Sequence, residues 1–145
     1  MTEIPSATEH PSLTAALAAF QAELPRVRKD QEGKIQGKDG KQGYSYSYAS
    51  LDDISPIVLP ALARQGIAWK CSPRITDRAY VLVGTLAHVS GESDTAEWPL
   101  PTGATPQTLG GALTYGRRYL LLAMTGVAPG GDDDDASAAE QHYRR

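Results

Sequence analysis

A chain of 145 residues is long enough to bury a core without metals or disulfides, and one domain is the default. Cys71 is the only cysteine, so an intrachain disulfide is excluded, no Cys/His set has zinc spacing, and a reducing, cytoplasmic setting is expected. The net charge of −3 would disfavour a polyanion partner if it were even, but residues 11–128 carry twelve bases against ten acids, a balance of +2.

The first ten residues have neither a basic region nor an apolar core, so no leader is expected, and residues 1–11 read as a disordered N-terminus. Ser12 is placed to cap a first helix in which Leu13, Leu17, Phe20 and Leu24 recur at helical spacing, ending by Pro25. Residues 26–49 change character. Arg26, Arg28 and Lys29 are followed by Lys34, Lys38 and Lys41, and Asp39-Gly40 is a hairpin turn pair, which predicts two strands joined by a basic tip.

The second of these strands reads YSYSYAS. Alternation places Tyr44, Tyr46 and Tyr48 on one face and Ser45 and Ser47 on the other. Such a face is either a base-stacking platform or the inner side of a sheet. Tyr48 runs directly into a helix start, so Tyr48 and Tyr46 are expected to pack as core, leaving Tyr44 beside the lysine tip for DNA or a neighbouring subunit.

Ser50 and Asp53 form a capping-box start, and Gly66 marks the end of a second helix of about four turns. Pro56 and Pro60 inside it predict a kink, or a restart with Ser55 as cap. From Ile67 to Leu100 the period is two: Ile67, Trp69 and Cys71 alternate with Lys70, Ser72 and Arg74, and a three-strand antiparallel meander follows. Thr105 and Pro106 open a last helix through Met124, with Leu109, Leu113, Gly116 and Leu120 on its apolar stripe. Residues 129–145 are expected to be an acidic, mobile tail after a core domain spanning 12–128. The fold class is α+β, in the order α-ββ-α-βββ-α, with a small antiparallel sheet packed on helices.

Catalysis is not expected. His10, His88 and His142 have no nucleophile motif nearby, and GGALTYG lacks the spacing of a Walker A loop or a dinucleotide fingerprint, so no cofactor or ATP site is read. Asp132 to Asp135 has the oxygen ligands of a magnesium site, but a block of like charge is more often a solvated tail, and no metal is expected. The longest apolar run, YLLLAMTGVA, is too short to cross a bilayer.

The last helix carries more. Arg117 has Gly110 and Thr114 on its helical face, and Arg118 has Gly111 and Tyr115, small neighbours that leave room for a backbone or phosphate. A surface arginine pair bridging to acids is an equally common reading of these residues alone. Together with the loop lysines and the tyrosine strand they outline a groove with charge and π-faces, the means by which non-specific single-strand binders work.

YSYASLDDI followed by LPALARQGIA, then LGGALTYGRRYLLLAMTGVAPGGDDDDA, resembles the Erf family of phage single-strand annealing proteins. Tyr46, Tyr48, Ala49, Ser50 and Leu51 match its tyrosine motif, Gly66 its helix end, and Thr114, Tyr115, Arg117, Arg118 and Tyr119 its arginine helix. Lys29 and Asp30 match an early strand, whereas Pro56 and Gly116 depart from the pattern. The resemblance implies an ATP-independent recombinase, not an enzyme, acting in DNA recombination and repair in the bacterial cytoplasm, with a fold similar to that of the eukaryotic annealing mediators. It implies as partners single-stranded DNA, the annealed duplex intermediate, further copies in a ring or helical filament, and a host single-strand-binding protein or phage exonuclease.

On these grounds Arg117 and Arg118 are expected to hold the phosphate backbone, with Lys29, Lys41 and Arg28 as the opposite wall and Lys38 as a further DNA-binding residue. Tyr44, Ser45, Ser47 and Tyr115 line it, and bases face outward for pairing. The alternatives are a single-strand-binding module that protects without annealing, a nuclease built on Asp132–Asp135, and a structural ring protein.

Overall fold

The computed structural model describes residues 6–130. The elements are α1 (Leu13–Ala22), β1 (Gln31–Ile35), β2 (Tyr44–Tyr48), α2 (Leu51–Arg64), β3 (Ile67–Ile75), β4 (Tyr80–His88), β5 (Ser93–Pro99) and α3 (Pro106–Thr125). This is the expected α+β class in the expected order. The strands form two separate antiparallel sheets, a β1–β2 hairpin and a β3–β4–β5 meander.

Register explains where the core lies. Trp69 pairs with Leu86, Cys71 with Gly84, Leu82 with Trp98 and Gly84 with Ala96, so these side chains share one face of the meander. All three helices pack on that face. Phe20, Ile54, Leu62, Leu86 and Leu121 are fully buried between the layers. Lys70, Ser72 and Arg74 stay exposed on the other face, as the alternation predicted. Pro73 is tolerated because β3 is an edge strand, where a missing N–H leaves no ladder bond unmade.

The approach of α3 to the sheet depends on two glycines. A Cβ on Gly116 would stand 2.7 Å from Trp98 Cδ1 and 2.9 Å from Leu82 Cδ2, so here the helix backbone rests directly on side chains of the sheet. A Cβ on Gly84 would meet the Trp69 ring at 2.5 Å, because that ring lies across the central strand. These contacts fix the height of α3 and with it the direction of its first turns, which run on past the core.

Three sequence expectations change in detail. Leu24 lies outside α1, which ends at Ala22 with Glu23 as cap, and Leu24 is exposed. Lys29 and Asp30 precede β1 instead of opening it: Val27 is drawn into the core and its carbonyl accepts from Gly130 N–H at 2.6 Å, which holds this stretch away from strand pairing. The helix α2 neither stops nor restarts at its prolines. Asp52, Pro56 and Pro60 fall four residues apart on its exposed face, so the carbonyls that lose their N–H partners meet water.

Ser50 caps α2 as expected. Asp53 N–H donates to Ser50 Oγ at 3.3 Å and Ser50 N–H donates to Asp53 Oδ2 at 2.9 Å. The bond from the Ser50 backbone, then the Ser50 hydroxyl, and a weaker one from Gln31 hold the Asp53 carboxyl below the usual carboxylate range. A lowered acid pKa stabilises the fold above the ordinary carboxylate value and ceases to do so as the pH falls through the lowered one. Ser50→Ala is therefore expected to cost about 1 kcal/mol in urea unfolding at neutral pH. The gap between wild type and Asp53→Asn should close as the pH is lowered below the carboxylate range. A gap that stays constant with pH would contradict the cap.

At the N-terminal side, residues 6–11 have no helix or strand, yet Thr8 N–H donates to Arg64 O at 2.8 Å and His10 Nε2 pairs with Gln65 Oε1 at 2.7 Å. The stretch expected as a disordered N-terminus thus docks, over these residues, on the end of α2. Of the acidic tail only 129 and 130 are described; Asp132–Asp135 and His142 lie outside the described residues, as does any reading placed on them.

Candidate nucleic-acid interface

The hairpin turns where Asp39 and Gly40 predict: both have positive φ, at 55° and 77°, and Lys41 N–H donates to Lys38 O at 3.1 Å across them. Lys38 and Lys41 therefore flank the tip and are exposed. Arg28 and Lys29 stand at the other end of the hairpin, where Gln31 pairs with Tyr48. Five residue pairs separate the two ends, roughly 15 Å along the strands.

Register also sorts the faces. Tyr44, Tyr46 and Tyr48 pair with Ile35, Gly33 and Gln31, and share their face. Ser45 and Ser47 share the reverse face with Lys34 and Glu32, so that side carries both signs of charge. The Tyr46 ring lies over Gly33, whose added Cβ would meet it at 2.5 Å. Tyr46 and Tyr48 stand as a tilted pair with centroids 5.8 Å apart.

These two tyrosines are not core. They form one wall of a cleft of about 470 Å³ whose other wall is α3, through Gly110, Gly111, Thr114, Tyr115 and Arg118, and which Ser50 and Leu51 also line. The buried residue of the motif is Ala49, fully enclosed, while Tyr48 is half-buried. The alternation identifies the right face but not what covers it, because the hairpin forms its own sheet apart from the meander.

Arg118 organises the cleft. Its guanidinium lies over the rings of Tyr119 at 4.8 Å, Tyr48 at 5.3 Å and Tyr115 at 5.7 Å, and Nη1 donates a long 3.5 Å bond to the Ala49 carbonyl. Cation–π contacts of this kind contribute about 0.5–2 kcal/mol each depending on desolvation. Behind Arg118 the rings continue: Tyr115 and Tyr119 are 4.4 Å apart, and Tyr119 stacks on Trp98 at 5.4 Å and 19°. A line of π-faces thus runs from β5 across α3 to β2, with one cation bridging α3 to the hairpin.

Arg117 does not join it. One residue further back on α3, it is exposed and lies on the side of Cys71, whose thiol is pushed up by burial and drawn partly back by the Arg117 charge. Helical geometry separates adjacent residues by about 100°. The two arginines therefore serve different surfaces. Of the ten expected site residues, the structure brings Arg118 and Tyr115 into the cleft; Arg117, Arg28, Lys29, Lys38, Lys41, Tyr44, Ser45 and Ser47 do not line it. The cleft residues that the sequence reading did not name as binding residues are Tyr46, Tyr48, Ser50, Leu51, Gly110, Gly111 and Thr114. The Gly110-Gly111 pair was the available signal: two glycines in a helix cost about 1 kcal/mol each against alanine, and neither has an atom within 4 Å of an added Cβ to account for it.

Among the described residues no group of three or more His, Cys, Asp or Glu side chains could hold a metal ion. His88 is buried at the end of β4, with its Nδ1 accepting from Ser90 N–H at 3.2 Å. No helix among the described residues is long and apolar enough to cross a membrane.

An aromatic cleft with a bridging arginine, beside a lysine-tipped hairpin, has the makings of a single-strand-binding surface. In comparison with family models, the ERF superfamily model matches residues 13–145. The chain belongs to the ERF superfamily, which implies in general single-stranded DNA binding and annealing in phage recombination, by proteins that are generally not enzymes. Comparison with curated proteins and with solved structures finds no match, so the likeness to the eukaryotic annealing-mediator fold rests on the sequence resemblance alone.

Proposed function

We propose that this protein binds single-stranded DNA and anneals complementary strands without ATP, as a homo-oligomer in ring or filament form. The observation that carries this reading is the π-lined cleft between the hairpin and α3, bridged by Arg118 and placed on the two sequence motifs shared with the family. Lys38 and Lys41 at the hairpin tip, Arg28 and Lys29 at its base, and Arg117 on the outer side of α3 supply the phosphate contacts. Because these cations are spread over a hairpin and a helix, the strand passes along the subunit with most bases outside, available for pairing. One such domain spans about 4–16 nucleotides, so neighbouring subunits extend the track.

The cations that meet phosphate release counterions, and each contact contributes about −0.7 to the slope of log affinity against log salt. Anisotropy titration of a labelled single strand at several salt concentrations is expected to give a slope of about −3 for the five cations named, some of them only partly engaged. A complex indifferent to salt, or no complex, would contradict the reading. A module that protects a strand without annealing gives the same slope and differs only in strand pairing. Recruitment of a host single-strand-binding protein or an exonuclease, and action in the bacterial cytoplasm, belong to the same proposal.

A further inference from the structure

We propose that the cleft between β2 and α3 takes a nucleobase, one per subunit, stacked among Tyr46, Tyr48 and Tyr115; this rests on the reading that the protein binds single-stranded DNA. The alternative occupant of a cleft containing an arginine is a phosphate, and the way the donors are used decides against it. Ser50 Oγ bonds Asp53 Oδ2 at 2.9 Å within the cap of α2, and Thr114 Oγ1 donates to Gly110 O at 3.2 Å. The Arg118 guanidinium faces three rings and reaches the Ala49 carbonyl. A phosphate needs donors pointed at it, whereas a base needs flat π-surface, which both walls offer.

Space points the same way. Gly110 and Gly111 keep the α3 wall free of side chains over two successive residues, at a cost in helix stability, and among the described residues no atom lies within 4 Å of a Cβ added at either. By contrast, Gly116 on the same helix is accounted for by Trp98 and Leu82. The opening of about 470 Å³ lies in the range of sites that enclose small organic groups. Tyr115, half exposed at the mouth, offers ring surface to an incoming base while Tyr119 and Arg118 hold its other neighbours. One base per subunit held inward would fix the register of the strand, leaving the others outside for pairing.

The test compares an oligothymidylate with the same oligonucleotide carrying abasic sites at regular intervals, and adds a 2-aminopurine reporter base. The phosphates are the same in both, so only base contacts differ. The abasic strand is expected to bind about 10-fold or more weakly, since stacking on aromatic side chains is what it loses. The reporter's fluorescence should fall on binding as its base stacks against tyrosine. Gly111→Leu, which fills the cleft without meeting any atom near its Cβ, should bind the intact strand with a similar loss. Its thermal midpoint should equal or exceed that of the parent protein. Equal affinity for intact and abasic strands, with no change in the reporter, would overturn the base cleft and leave DNA binding standing. No complex with either strand would overturn both.

Discussion

Arg118→Ala is expected to weaken binding of a single-stranded oligonucleotide by about 10–100-fold, in a protein that still folds. Arg118 touches both the hairpin and α3, over Tyr48 on one side and over Tyr115 and Tyr119 on the other. Its removal takes the bridge from the cleft and leaves Tyr48 without its cover, so the two walls lose their fixed spacing. Arg118→Lys should recover little, because an ammonium cannot lie flat across several rings as a guanidinium does. Arg117→Ala is a useful contrast: an exposed phosphate contact should cost a few-fold and lower the salt slope by about 1. Equal losses from the two substitutions would contradict their separation onto different surfaces.

The second large effect is on stability. Phe20, the only phenylalanine in the chain, is 2% exposed and closes the core where α1 meets the sheet. Phe20→Ala should lose about 3–5 kcal/mol, from the transfer of the ring and the cavity that remains. Against a usual total of about 5–15 kcal/mol, this brings the domain close to unfolding at ambient temperature. Urea unfolding measures it, and a loss under about 1 kcal/mol would show that the core closes without the ring. Phe20 does not line the cleft, so the variant at low temperature should retain its salt-dependent DNA complex if the fold survives.

The caps and periodicities were legible in the sequence because they are local. Ser12, Ser50 and Thr105 each accept from the N–H three residues on, and Asp39-Gly40 turns the hairpin as its residue types require. The two faces of β3 followed from alternation alone. What alternation could not tell was the partner of a face. The helix that follows Tyr46 and Tyr48 predicts a core role for them, but it buries Ala49 and the tyrosines turn toward α3, more than sixty residues later in the chain. The two adjacent arginines likewise invited a joint role that the twist of the helix prevents. The prolines of α2 predict a kink or a restart for sound local reasons; the restart does not occur, and a spacing of four sets both prolines on the exposed side.

Strand pairing tests annealing most directly. Two complementary oligonucleotides, labelled as an energy-transfer pair, are mixed with the protein in the absence of nucleotide and magnesium. Pairing is expected to run much faster than the spontaneous rate and to be slowed by Arg118→Ala and by high salt. A protein that binds each strand in a salt-dependent way yet leaves the pairing rate at its spontaneous value would contradict annealing and make this a protecting module.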